Sequence, residues 1–507
     1  MRCGKSCRFQ PALIMIALLV FLCSSVAGQD FDVIKSKVKE HVLGNGMKFI
    51  VLERPDVPVV SFHTYADVGS AQEVSGITGI SHLLEHMAFK GTKTVGAKDF
   101  GVEAALLDQM DQLYAQLSRE QRAVNPDSAK ITALKEQFIK AKKAAHELVK
   151  VGEYSDMLDE QGGRGLNAYT NSDATQYITS LPSNRLEFWM AMESDRFLNP
   201  VFREFFEERD VVMEERRLGV ETQPTGKLVE DFFAVAFKAH PYHHEVIGHM
   251  SDLRRITRQD VQEYFRTYYS PSNLTVAIVG DVKAEDVFTM ADTYFSRIPS
   301  APKPERLRTE EPEQWGERRV TVEAQAQPML VVGYHRPDVN STEDLAFNAM
   351  ANIFGQGRSS RLYKILVKEK KIAVDAGSFN GWPGDKYPNL FAVYAVPAMN
   401  HTSAECMDVI DAEIAKLIRD PVSQEELSKY KRQTKKELID GMKPNSQMAE
   451  TLTFNDVVRG DWRKTFDAVK ELETITMADV QAVAAKYLAK KNRTIGEIVP
   501  EKEGAQQ

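Results

Sequence analysis

Residues 81–92 read SHLLEHMAFKGT, an apolar run that carries His82, Glu85 and His86. On a helix, residues four apart share a face, so the two histidines can reach one metal ion together. Glu85 sits beside them, close enough to work on a metal-bound water. The order His-x-x-Glu-His reverses the one in which zinc peptidases more commonly carry these groups. Two imidazoles are an incomplete set, because catalytic zinc usually takes three protein ligands and keeps a position for water. A second helical segment, FEERDVVMEERRLG at 206–219, offers Glu207, Glu208, Glu214 and Glu215. Glu208 and Glu215, seven apart, share one helix face. Val211, Val212 and Leu218 give that segment an apolar side expected to dock it inward. Without a third ligand, the pair would read as packed core histidines.

The elements that must position these groups come from a chain that repeats itself. ITRQDVQEYFRTYYSPSNLTVAIVG from Ile256 matches ITMADVQAVAAKYLAKKNRTIGEIVP from Ile475 at a constant offset of 219. Pro200, Val201 and Glu204 match Pro421, Val422 and Glu425 at an offset of 221. Each copy of the longer match reads as a helix opened by a Thr-x-x-Asp cap, then a turn and a strand. The expected fold is α+β, in two homologous halves, each an antiparallel-rich sheet with helices packed on it. The first half spans 34–296, the proline- and charge-rich linker 297–318, and the second half 319–500. Both halves open with strand-like sequence, the first turning at Asn45-Gly46. From Leu106 to Leu148 apolar residues recur at coiled-coil spacing on either side of Asn125-Pro126, predicting a helical hairpin inserted at about 104–150. It reads as a solvated structural arm. The repeat also limits the metal site: the counterpart of Glu215 is Lys436, and the second half has no histidine pair.

With 507 residues, 43% hydrophobic and 27% charged, the chain is expected to be globular with more than one domain. Arg2, Lys5 and Arg8 precede the apolar run Ala12–Leu22, and small residues follow near Ala27, which reads as a signal peptide over 1–27. The run is too short to span a bilayer, so no stable membrane span is expected after cleavage. Cleavage removes Cys3, Cys7 and Cys23 and leaves Cys406, so no disulfide framework is possible. Losing three cations with no acid takes the net charge from −8 to −11, which disfavours nucleic acid as a partner.

HLLEHMAFKGT, GGRGLNAYT, ERDVVMEE and HPYHHEVIGHMSDL, in that order, resemble the pitrilysin/insulinase family of zinc peptidases, in its branch of mitochondrial processing peptidase and bacterial relatives. The resemblance covers nearly the whole mature chain. A signal peptide without disulfides, in a chain that resembles bacterial proteins, is read as placement in a bacterial periplasm. It implies one zinc ion per chain, held by His82, His86 and Glu215, with Glu208 as an accessory acid and Glu85 activating a zinc-bound water. The long gap between His86 and Glu215 is accounted for by the inserted hairpin. Asn167, Ala168, Tyr169 and Thr170 would be the edge strand on which a peptide substrate is laid out, and HPYHHEVIGH a loop that buttresses the site. The halves would close as a clamshell around a chamber. In that family the second half commonly supplies an Arg and, seven residues later, a Tyr; registration of RSSRLYKILVKEKKIAVDAG places Val367 and Val374 there. The implied function is a zinc metalloendopeptidase for short or unfolded peptides. Its implied partner is a homologous subunit supplying the Arg/Tyr function. The alternative is a non-catalytic structural or peptide-binding subunit.

Overall fold

The computed structural model describes residues 31–501. The segment read as a signal peptide lies outside the described residues.

Two sheets form the framework. The first contains β1 (Val38–Val42), β2 (Lys48–Glu53), β3 (Val59–Ala66), β4 (Arg164–Thr170), β5 (Thr175–Pro182) and β6 (Leu274–Gly280), in the order β1-β2-β6-β3-β5-β4. The second contains β7 (Arg318–Glu323), β8 (Met329–Arg336), β9 (Ala373–Trp382), β10 (Asn389–Pro397) and β11 (Arg493–Val499), in the order β7-β11-β8-β10-β9. From β2 onward the two orders are the same. β2–β6 and β7–β11 pair in parallel, and the remaining pairs are antiparallel. The Thr-x-x-Asp signals cap helices in both copies. Thr257 and Thr476 accept from the backbone N–H groups of Asp260 and Asp479, whose carboxylates bind back to the caps. Gly46, at φ 94°, makes the turn between β1 and β2, a conformation that favours glycine.

Six helices matter for the site and for the join between the sheets: α1 (Ile80–Met87), α2 (Phe100–Gln121), α3 (Ser128–His146), α4 (Phe205–Arg216), α5 (Pro224–Ala236) and α6 (Asn445–Val457). α2 and α3 form the expected antiparallel hairpin, with Met110, Leu113, Leu117, Leu134, Ala141 and Ala145 buried along its seam. It is not a free arm. Tyr114 and Phe138 pack on Phe206 of α4, at ring-centroid distances of 4.9 and 4.8 Å, and Arg258 pairs with Asp108 and Asp111.

Strand β6 is buried at every position, and β2 at its four central ones. Sheets covered on both faces need such continuous apolar strands. One cover for each sheet comes from the other half. Leu228, Phe232, Phe233 and Ala236 of α5 form a core with Val322, Val331, Leu390 and Ile498 of the second sheet. Met448, Ala449 and Leu452 of α6, with Trp462 and Phe466, cover Ile50, Leu52, Ala277 and Val279 of the first. α5 comes so close that a Cβ on Gly333 or Gly496 would lie 2.9 Å from the Phe232 ring.

Candidate metal centre

α1 starts at Gly79 and places His82 and His86 on one side of the helix, their ring centroids 4.8 Å apart. α4 lies against it and brings Glu215 between them. One Glu215 oxygen is 3.8 Å from His82 Nε2 and 3.7 Å from His86 Nε2. Among the described residues this is the one group whose metal-donor atoms converge, all within 4.8 Å of one another. In a tetrahedral zinc site with bonds of ~2.0–2.1 Å, neighbouring donors are roughly 3.4 Å apart. Small side-chain adjustments therefore close the set, and two imidazoles with one carboxylate leave a fourth position open. His82 Nδ1 is buried with no hydrogen-bond partner, and the histidine is largely enclosed. The donor set fits a divalent ion such as zinc.

The flanking acids differ in character. Glu208, two helical turns before Glu215, has one oxygen 3.3 Å from His86 Nδ1 and the other 2.5 Å from Lys90 Nζ. Burial works to raise its carboxyl, but the bonds to His86 and Lys90 outweigh this and hold it below the usual range. In turn, Glu208 raises the pKa of His86, against its burial. His82 has no such partner, and burial beside His86 pushes it down to about 4. Burial also raises the Glu85 carboxyl, although Thr170 Oγ1 donates to Glu85 Oε2 at 2.7 Å. α4 continues beyond Arg216 as a π-helical turn, Arg217–Glu221, an irregularity that often accompanies functional sites.

Asn167, Ala168, Tyr169 and Thr170 all lie on β4, at the outer edge of the first sheet. Side chains alternate along a strand. Thr170 meets Glu85, while Tyr169 projects to the opposite face, where its hydroxyl lies 2.8 Å from both Gln176 and Glu450 of α6. In the HPYHHEVIGH segment, Pro241–His243 form a 3-10 turn, and Gly248 fits so closely against Thr78 and Gly79 that a Cβ there would be 2.3 Å from their backbone. Its carbonyl accepts from Arg216 Nη1 at 2.5 Å, tying this loop to both metal-site helices.

One expectation about facing needs correction. Val211 and Leu218 are 44% and 52% exposed, so they do not dock α4. Phe205, Phe206 and Val212 do, because α4 has neighbours on two sides: α1 on one and the hairpin on the other. Val367 packs against the core of the second half, and Val374 of β9 is 52% exposed. Sequence reasoning missed Lys90, which touches Glu208, and Glu73, which holds the start of α1. Lys90 was within reach, since it stands four residues after His86 on the same stretch. Nothing local marks Glu73.

Two sheets of matching strand order, one of them carrying a histidine-pair helix, define a duplicated α+β scaffold with a single candidate metal centre among the described residues. Residues 48–130 match the model of the insulinase family, peptidase family M16, and residues 255–434 match that of the peptidase M16 inactive domain. The chain belongs to this pitrilysin/insulinase family. It is 27% identical over 481 residues to the zinc protease PqqE of Helicobacter pylori, covering 93% of this chain and 94% of that one. To the probable mitochondrial-processing peptidase subunit beta of Arabidopsis thaliana it is 24% identical over 477 residues, covering 90% and 77%. The crystal structure of a protease from Helicobacter pylori superposes with a TM-score of 0.76 at 26% identity, covering 92% of this chain and all of that one.

Proposed function

We propose that this chain is a zinc-dependent endopeptidase for short or unfolded peptides and the zinc-bearing member of a pair of homologous subunits. The observation that carries the reading is the convergence of His82, His86 and Glu215 next to Glu85, at the open edge of β4. Zinc held by those three side chains would supply Lewis acidity, acidifying water and polarising a peptide carbonyl.

The chain's own residues do the rest. A peptide adds to the free edge of β4 as a further strand, held by main-chain hydrogen bonds that are indifferent to most side chains. Such a segment must be extended and free of its own partners, which selects unfolded or short substrates. Thr170 holds Glu85 Oε2, so Glu85 takes a proton from water at its other oxygen and returns it to the leaving amine. Its raised pKa, caused first by burial, brings it nearer the range useful to a general base. Glu208 orients His86 through Nδ1 and leaves Nε2 for the metal.

The pairing of subunits rests on what stands at Val367 and Val374. Neither side chain can donate a hydrogen bond to a substrate carbonyl, and the chain resembles a protein named as one subunit of a processing peptidase. Exported placement rests on the first 27 residues; no helix among the described residues is long and apolar enough to cross a membrane.

The test is mass spectrometry of a mixed peptide library incubated with the zinc-loaded chain alone, with Glu85→Gln as control. Glu85→Gln is expected to keep its zinc and lose all hydrolysis. Cleavage by the solitary wild-type chain would remove the need for a partner. Bound zinc without cleavage, alone or with any homologous chain, would favour the non-catalytic peptide-binding reading.

A further inference from the structure

Helix α1 begins without a cap of its own. Its N-cap, Gly79, is at φ 89° and has no side chain to satisfy the first-turn N–H groups. A side chain could not be added, because a Cβ at Gly79 would lie 2.6 Å from the Ile247 carbonyl oxygen. The acceptor comes instead from six residues earlier: Glu73 Oε2 accepts from Gly79 N and Glu73 Oε1 from Ser81 N, each at 2.8 Å. The Glu73 side chain is wholly buried, and no cation among the described residues neutralises it. The nearest, His244, is 3.9 Å away, with burial holding that imidazole down at about 4. A carboxyl kept in such an interior is costly unless its hydrogen bonds need it.

The segment that carries Glu73 has a second set of bonds. Ser70 N donates to Asn171 O at 3.2 Å and Ala71 N to Ser172 O at 2.9 Å. Gly69 packs against the same turn so tightly that a Cβ there would be 2.2 Å from the Asn171 carbonyl oxygen. Asn171 and Ser172 follow directly on Thr170, the last residue of β4. Residues 69–73 therefore join the end of the edge strand to the first turn of the helix that carries His82, Glu85 and His86.

We propose that Glu73 is a positioning residue that sets the metal helix relative to the substrate-binding edge strand. This role rests on the zinc-peptidase reading above. Through it, the two histidines and Glu85 are held in register with a peptide laid along β4, although Glu73 touches neither metal nor substrate.

The experiment compares the full-length wild type with Glu73→Gln, Glu73→Asp and Asp252→Asn. Zinc affinity is measured by chelator competition, metal geometry by the visible spectrum of the cobalt-substituted protein, and stability by thermal unfolding. Asp252 is the control, since it accepts from Gly76 N, Thr78 N and Thr78 Oγ1 in the same loop but bonds nothing in α1. Glutamine offers one acceptor where two are needed and turns an NH2 group toward an N–H. Glu73→Gln is expected to weaken zinc about tenfold or more and to change the cobalt spectrum. Asp252→Asn is expected to lower the melting temperature and leave the spectrum unchanged. Should Glu73→Gln not fold, Glu73→Asp, which keeps both acceptors on a shorter stem, is expected to give a smaller shift in the same direction. Wild-type zinc affinity and spectrum in the Glu73 variants would overturn the positioning role. A wild-type chain that binds no zinc would instead overturn the metal site, and this role with it.

Discussion

His86 Nδ1 is bonded to Glu208, whereas His82 Nδ1 has no partner; the Nε2 atoms of both lie within 3.8 Å of Glu215. Replacing an outer partner of a metal-bound histidine typically costs ~10–100-fold in metal affinity. Glu208→Gln should therefore weaken zinc by about that range while leaving the fold intact, which chelator competition would detect. A second residue-scale case is Arg361, whose Nε and Nη2 both donate to Glu426 at 2.8 Å, so it serves a helix start rather than a substrate. The Arg361 bonds outweigh burial and hold the Glu426 carboxyl at about 2, below its ordinary 4.5. A depressed carboxyl stabilises the fold above its unfolded pKa and loses that contribution as the pH falls toward its folded one. The melting temperature of Glu426→Gln should thus lie below wild type at pH 7, with the gap closing as the pH falls from about 5 to about 2. At this scale the sequence was informative where chemistry is local. Spacing alone put His82, Glu85 and His86 on one helix, and Glu208 and Glu215 on one face of another. Thr170 on Glu85 and Glu73 on Gly79 depend on close packing of segments that no periodicity brings together.

Among elements, the helical hairpin does more than cover surface. Arg203, just before α4, is buried with Glu103 of α2, Nε to Oε1 at 2.9 Å. Its other nitrogens donate to the carbonyls of Lys90, Thr92 and Val95, in the turn that follows α1. One guanidinium thus joins α1, α2 and α4. Arg203→Met would leave a buried carboxylate and the carbonyls of Lys90 and Thr92 without their donor, while Val95 O keeps Thr92 N, and should cost about 3–5 kcal/mol, read as a lower denaturant midpoint. Adding Glu103→Leu should recover only part, because the Lys90 and Thr92 carbonyls remain unpaired. The seam of the hairpin was legible as a coiled-coil pattern, since α2 and α3 face each other along their length. The facing of α4 was not: a helix gripped on two sides scatters its apolar contacts, and Val211 and Leu218 were misread as part of them.

For the whole molecule, the repeat at offsets of 219 and 221 was enough to read two halves of one design. It could not reveal that α5 and α6 change places. Both helices look like ordinary amphipathic segments, and which sheet each covers is a matter of tertiary contact. The exchange makes the join a pair of shared cores, not two finished surfaces in contact. A chain ending after residue 300 should therefore be dye-binding and aggregation-prone, whereas co-expression with residues 301–501 should restore a soluble complex. A stable, monomeric first half with a sharp thermal transition would contradict this. The same exchange imposes an order on synthesis. The first sheet is complete once Gly280 has been made, yet Ile50, Leu52, Ala277 and Val279 stay uncovered until Met448, Ala449 and Leu452 follow. At about 5–20 residues per second, that wait lasts roughly ten seconds or more. During it the nascent chain presents an apolar sheet face that a chaperone can hold, and the half that carries the candidate metal centre cannot mature before its twin has nearly been made.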